Sequence, residues 1–480
     1  MKRAAVTAMI AATLAAGAVE GAPAAVSPLA LPGPGFCVPA PDDATYVPRT
    51  VKAVGVAGGA TKPIAILDTG VDPTTPQLAG RVLQGYDAAT GAPVADDPDG
   101  HGTEAASLAA AAGPGVQGVS PGSPILPIRI YDAQRASSVD VLVKGIALAV
   151  AKGAGVIVIG GAGPLASVSD DDVRKVTTAI DAAFARGVLT VAGSGDDGGS
   201  APMLPAGLPH VLVAGSATAT QTRSAQTDTG PWLDLLAPAE GVEAALPPAL
   251  CAFGFAFSGG TSFAGPSLGG AAALVLAHRP TLTTQQAFEL LRRSGADIGV
   301  SGRDDDSGYG MLDVSAALSA TALAKESGAE VDDDPHWLRG TYARAHPALL
   351  TATKLRFKVR GTVSPAKDPA DVYAVKLAKR ERIVASVTAD DPNALLELSI
   401  LSPGAGDFDV TDGVDDTRLV ATGGLSSDPQ LELRASRAGT YFVAVQAADA
   451  VDASDPTAAV ADLVPYRLSA YKQRPSAKRR

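Results

Sequence analysis

Over the first two thirds of the chain, short apolar runs of strand length alternate with helical patterns, and this alternation limits the fold more than any other feature. The runs are Pro63–Leu67, Ile125–Ile130, Val156–Ile159, Val188–Ala192 and Val211–Ala214. Runs apolar at every position suit strands covered on both faces, as in a parallel sheet. Between them, Val173, Val176, Ile180, Ala183 and Phe184 recur at helical spacing, after an acidic cap at Asp170-Asp171-Asp172 and before Gly187. Ser138–Ala151 reads as another helix. The alternation predicts an α/β fold with a parallel sheet flanked by helices over residues 61–325. Beyond residue 335 the period changes to two, in Ile383–Thr388, Leu395–Leu401, Leu431–Arg434, Thr440–Val445 and Tyr466–Ala470. Turn residues separate these runs, which predicts a small all-β sandwich over residues 335–472, with a basic tail at 473–480.

Three segments in this frame carry reactive side chains beside glycine or other small residues. They are Ile66-Leu67-Asp68-Thr69-Gly70-Val71-Asp72, Asp99-Gly100-His101-Gly102-Thr103 and Gly260-Thr261-Ser262-Phe263-Ala264-Gly265-Pro266. A serine hydroxyl is a poor nucleophile at its own pKa; it needs a base, and the base needs a partner that fixes its tautomer. Asp68 closes a buried strand and is the candidate orienting acid; Asp72 reads as a turn-capping residue. His101 is the candidate base. Ser262 precedes a helical run, Phe263–His278, with Pro266 expected in its first turn, where proline is tolerated. A nucleophile there has free backbone donors beside it.

The order acid, histidine, serine is that of the subtilisins, and the chain resembles the subtilisin-like serine proteases (subtilases) over about Lys62–Leu318. The resemblance implies a secreted endopeptidase with Asp68, His101 and Ser262 as catalytic residues and a protein or peptide as substrate. Four departures stand out. Glu104 and Ser267 occupy positions where the family usually has histidines. Asp196 falls where the family carries an asparagine that donates to the oxyanion. A carboxylate cannot donate unless protonated, and one lost donor costs roughly 2.7–4 kcal/mol. Gly160-Gly161-Ala162-Gly163 replaces the usual serine-leucine-glycine of the substrate-binding strand, which implies a more flexible strand without a side-chain wall. Asp371–Val375 and Ala438–Val443 resemble the bacterial pre-peptidase C-terminal domain.

Residues 1–22 read as a signal peptide, with Lys2 and Arg3 before an alanine-rich run to about Val19 and small residues near the cut. A Pro/Gly/Ala-rich leader, read as extended, follows at 23–60. A secreted or periplasmic chain with an even cysteine count predicts one disulfide, Cys37–Cys251. The net charge of -11 argues against a nucleic-acid partner. No later segment reads as a membrane span. No cofactor is required for this chemistry and no metal ligand set is assigned; structural calcium is a family expectation, and Asp96, Asp97 and Asp99 read as a solvated acidic loop. Two other classes fit the same residues: a catalytically weak or inactive peptide-binding pseudoprotease, and a scaffold in which the C-terminal sandwich carries the role.

Overall fold

The computed structural model of the protein describes residues 37–56, 62–132, 135–161, 163–208, 210–230, 232–322, 349–363, 370–402, 419–447 and 464–473. The expected signal peptide, leader residues 23–36 and 57–60, the segment joining the two halves and the tail from residue 474 lie outside the described residues.

The N-terminal half is built on an eight-stranded sheet. Its spatial order is Pro93–Val94, Gly85–Asp87, Ile125–Arg129, Ile64–Asp68, Val156–Ile159, Leu189–Gly193, Val211–Ala217 and Leu235–Pro238. All neighbours run parallel except Pro93–Val94, which pairs antiparallel with Gly85–Asp87. The central strands are mostly apolar because their alternate residues feed two cores. Ile64 and Ile66 pack with helices His101–Ala110 and Thr261–His278. Ala65 and Leu67 pack with Val139–Ala151 and Asp170–Phe184 on the other face. Asp68 shares the parity of Ile64 and Ile66, so the period of two directs its side chain to the face that carries the His101 and Ser262 helices. The strand order also reverses at Ile64–Asp68, and ligands of open α/β sheets bind at the carboxyl ends of strands flanking such a point.

Two sequence expectations need correction here. The cap of Asp170–Phe184 is Ser169, whose hydroxyl accepts from the Asp172 amide at 3.2 Å; the acidic residues form the first turn behind it. The leader is not simply extended either. Tyr46–Thr50 is helical, and Val47, Val51 and Ala53 belong to the core beneath the Ser262 helix, because these apolar side chains need cover. Cys37–Val38 adds a strand to Phe255–Gly259, which pairs in turn with Glu240–Ala245. Cys37 and Cys251 are joined by a disulfide, with Cα atoms 5.5 Å apart.

The C-terminal half holds two four-stranded antiparallel sheets. One orders Arg356–Val363, Val464–Gln473, Arg382–Ala389 and Gln430–Arg434; the other orders Ala370–Leu377, Gly439–Ala447, Leu396–Leu401 and Leu419–Ser426. Side chains from both sheets, among them Val359, Tyr373, Ile383, Leu398, Val443 and Leu468, share one core. The last strand runs to Gln473, and Lys472 is buried in an ion pair with Glu381 at 3.0 Å, so the basic tail starts beyond it.

Candidate active site

Asp68 is fully buried at the end of its strand, where its Oδ1 accepts the Thr69 amide at 2.7 Å. His101 opens its helix after Gly100, and its Nδ1 lies 2.8 Å from Asp68 Oδ1 and 2.9 Å from Oδ2. His101 Nε2 has no hydrogen-bond partner among the described residues. Burial disfavours the imidazolium, but the Asp68 charge and hydrogen bond outweigh it, aided by Glu104 and Asp99, so the His101 pKa is pushed up to about 9.

The start of the His101 helix is tied to the end of the Asp68 strand by Asp97. This carboxylate is buried, not solvated. Its Oδ1 accepts Thr69 Oγ1 at 2.8 Å and the Gly100 amide at 2.9 Å. Its Oδ2 accepts the Thr103 amide at 2.8 Å and Thr103 Oγ1 at 2.7 Å. Its two neighbours turn elsewhere, Asp96 to Arg129 and Asp99 to Arg135. The three carboxylates therefore face separate protein partners and do not fit a shared calcium centre.

The Ser262 helix begins at Thr261, earlier than the sequence suggests, so Pro266 lies in its second turn rather than its first. A proline there has no N–H for the Ser262 carbonyl. Gly260, at φ 110°, makes the turn into this helix, a conformation L side chains avoid. Ser262 is buried, and its Oγ donates to the Gly160 carbonyl at 2.7 Å. The Phe263 ring packs 5.0 Å from the His101 ring, centroid to centroid.

Asp196 lies against this helix start. Its Oδ1 accepts the Thr261 amide at 2.7 Å and its Oδ2 the Thr261 hydroxyl at 3.3 Å. Burial pushes its carboxyl up against the pull of the Thr261 bonds, and Asp228 and Asp197 add to the rise. Gly160 follows its strand directly, and a Cβ there would lie 1.8 Å from Asp68 Oδ2. A bare backbone at this position leaves room for the acid, which is a stronger constraint than strand flexibility. The Gly161 carbonyl accepts the Tyr131 hydroxyl, and the Gly163 carbonyl accepts the Leu204 amide at 3.0 Å. Ala162 lies outside the described residues.

Sequence reasoning registered Glu104 only as a divergence. It sits one turn after His101, 3% exposed, and its Oε1 accepts Ser258 Oγ at 2.6 Å. Ser258 is four residues before Ser262, so this bond joins the His101 helix to the strand that leads into the Ser262 turn. Burial pushes the Glu104 carboxyl up to about 7, against the Ser258 bond and the His101 charge. Ser267, the other substituted histidine position, bonds its own helix at the Phe263 carbonyl, 3.4 Å away.

A profile of the Subtilase family matches residues 59–310. The chain belongs to the subtilase family. Among relatives of this subtilase, Subtilisin DY of Bacillus licheniformis is 30% identical over 276 residues, which is 56% of this chain and 94% of that protein. Thermitase of Thermoactinomyces vulgaris is 30% identical over 236 residues, 48% of this chain and 81% of that protein. A thermophilic serine proteinase of Bacillus sp. (strain AK1) is also 30% identical over 236 residues, but the alignment spans only 56% of its length. In fold, the subtilase resembles the crystal structure of a lanthipeptide protease, with a TM-score of 0.51 at 24% identity, over 57% of this chain and 93% of that one. This subtilase is thus a subtilisin-like serine protease, a hydrolase. No helix among its described residues is long and apolar enough to cross a membrane.

Proposed function

We propose that the protein is a secreted serine endopeptidase in which Ser262 attacks the scissile carbonyl of a protein or peptide, His101 serves as base and Asp68 orients His101. The observation that carries this reading is the buried Asp68–His101 hydrogen bond, which leaves Nε2 unpartnered while the His101 ring packs against Phe263, the residue after Ser262. Attack requires the Ser262 hydroxyl to leave the Gly160 carbonyl for Nε2; catalytic hydrogen bonds are often incomplete without substrate. Oγ then bonds to the carbonyl carbon while its proton passes to Nε2. The imidazolium returns that proton to the leaving amine as the C–N bond breaks and the acyl-enzyme forms. Water, deprotonated by the same nitrogen, releases the acid and restores Ser262. The oxyanion receives the Ser262 amide, which has no intrahelical acceptor in the first turn. Asp196, whose carboxyl burial pushes up, supplies a second donor only in its protonated form, through the Oδ2 that accepts the Thr261 hydroxyl.

The second reading, a peptide-binding pseudoprotease, draws on the Ser262–Gly160 bond and on the carboxylate at the oxyanion position. Hydrolysis of casein or a peptide library, with Ser262→Ala as control, tests the two. Turnover that Ser262→Ala abolishes supports the endopeptidase; peptide binding with no turnover by either protein supports the pseudoprotease.

A further inference from the structure

The outer face of the Arg356–Val363, Val464–Gln473, Arg382–Ala389 and Gln430–Arg434 sheet is basic, in a chain of net charge -11. While Phe357 and Val359 point into the core, Arg356, Lys358 and Arg360 alternate outward with them, as the strand period requires. Arg467, Arg382 and Arg434 are exposed on the neighbouring strands. Two carboxylates answer these six cations: Asp390 pairs with Arg467, and Glu432 with Arg382. Lys358 and Arg360 have no ion pair among the described residues. The register is unfavourable to the sheet itself, since Arg360 lies directly opposite Arg467 and Arg382 directly opposite Arg434. Like charges directly opposite destabilise an antiparallel pair. Five side chains of this face, Lys358, Arg360, Arg467, Thr388 and Ser469, border a hollow of about 630 Å³.

We infer that this face binds an anionic polysaccharide, with Lys358, Arg360 and Arg467 engaging its sulfate, phosphate or carboxylate groups and Thr388 and Ser469 its hydroxyls. Guanidinium groups match such anions through two donors at once. Outward residues two apart on a strand are about 7 Å apart and adjacent strands about 5 Å, so the cations form a row that suits a linear polymer better than one small ion. An anionic membrane would call for an apolar surface able to enter the lipid. This face offers one exposed aromatic, Tyr471, and a partly buried Val384. Single-stranded nucleic acid would call for a stacking row of aromatics, which a lone tyrosine does not provide.

The test measures binding of the full chain, as Ser262→Ala, to heparin as probe, with neutral dextran, phosphatidylserine vesicles and a DNA oligonucleotide in parallel. Binding to heparin that fades with added salt is expected, with none to dextran. Lys358→Glu/Arg360→Glu should weaken heparin binding at least about tenfold. Its melting temperature should stay near that of the parent, because both side chains are exposed. Lys144→Glu/Lys175→Glu, a charge change of equal size on the other half of the chain, should leave heparin binding in place. Heparin binding equally sensitive to both double variants, absent heparin binding, or tighter binding to vesicles or DNA would each overturn the inference. If the Lys358→Glu/Arg360→Glu protein unfolds, Arg360→Gln serves instead, and an unchanged affinity for that variant also overturns it.

Discussion

His101 and Glu104 together set the expected pH response. With its pKa pushed up to about 9, His101 is neutral and able to act as base only in alkaline solution, so kcat/KM should climb with pH towards about 9. Glu104, at about 7, is charged over that range and favours the imidazolium. Glu104→Gln should therefore move the rising limb to lower pH while keeping the Ser258 bond; a profile that stays in place would separate Glu104 from His101. The same buried acid affects stability. Its folded pKa lies above its unfolded value, so the stability it lends is present below about pH 4.5 and is lost as pH rises through about 7, by roughly 3 kcal/mol. Urea melts should show this loss in the parent protein and not in Glu104→Gln. Asp196→Asn keeps an oxygen for the Thr261 amide and places an NH₂ where the second carboxyl oxygen stood. It should raise kcat at neutral pH by up to about 10²-fold; an unchanged rate would mean that Asp196 does not face the oxyanion or already donates as the neutral acid. The pairing of Asp68 with His101 was legible from their neighbours in the chain. The Glu104–Ser258 bond was not, since its partners are 154 residues apart and neither stands in a motif that names the other.

At the scale of elements, the Asp68–His101 pairing depends on how one strand end meets one helix start. Asp97 makes that junction, and removing it leaves the Thr69 hydroxyl and the Gly100 and Thr103 amides without their acceptor. Asp97→Ala should cost about 3 kcal/mol in urea unfolding and lower kcat as well, because His101 sits on the loosened turn. A loss of stability with full kcat would assign Asp97 to folding alone. Sequence reasoning took Asp97 for a solvated residue because proximity to Asp96 and Asp99 says nothing about which carboxylate the loop folds inward. The central strands were readable because both faces are apolar. In the C-terminal half, strands with clear alternation, such as Ile383–Thr388, were readable too. Leu419–Ser426 was not, since the Gly423-Gly424 pair interrupts its pattern. The reason for Gly160 was equally hidden, because only the folded sheet brings it against Asp68.

Across the whole molecule, the Cys37–Cys251 disulfide closes a loop of sequence separation 214 and fastens the leader beside the strand that leads to Ser262. Paired replacement of both cysteines by serine should lower unfolding stability by roughly 2–5 kcal/mol. An unchanged unfolding curve would mean that the core contacts of Val47 and Val51 hold the leader unaided. The fold, the disulfide and the site all bear on one claim, that Ser262 is a nucleophile activated by His101 and Asp68. Fluorophosphonate labelling followed by mass spectrometry measures this most directly, since the probe reacts with an activated serine and not with an ordinary hydroxyl. A single adduct on Ser262 is expected, lost in His101→Ala and strongly slowed in Asp68→Asn. Folded protein that takes up no probe at Ser262 between about pH 7 and 9, the range in which His101 becomes neutral, would contradict it.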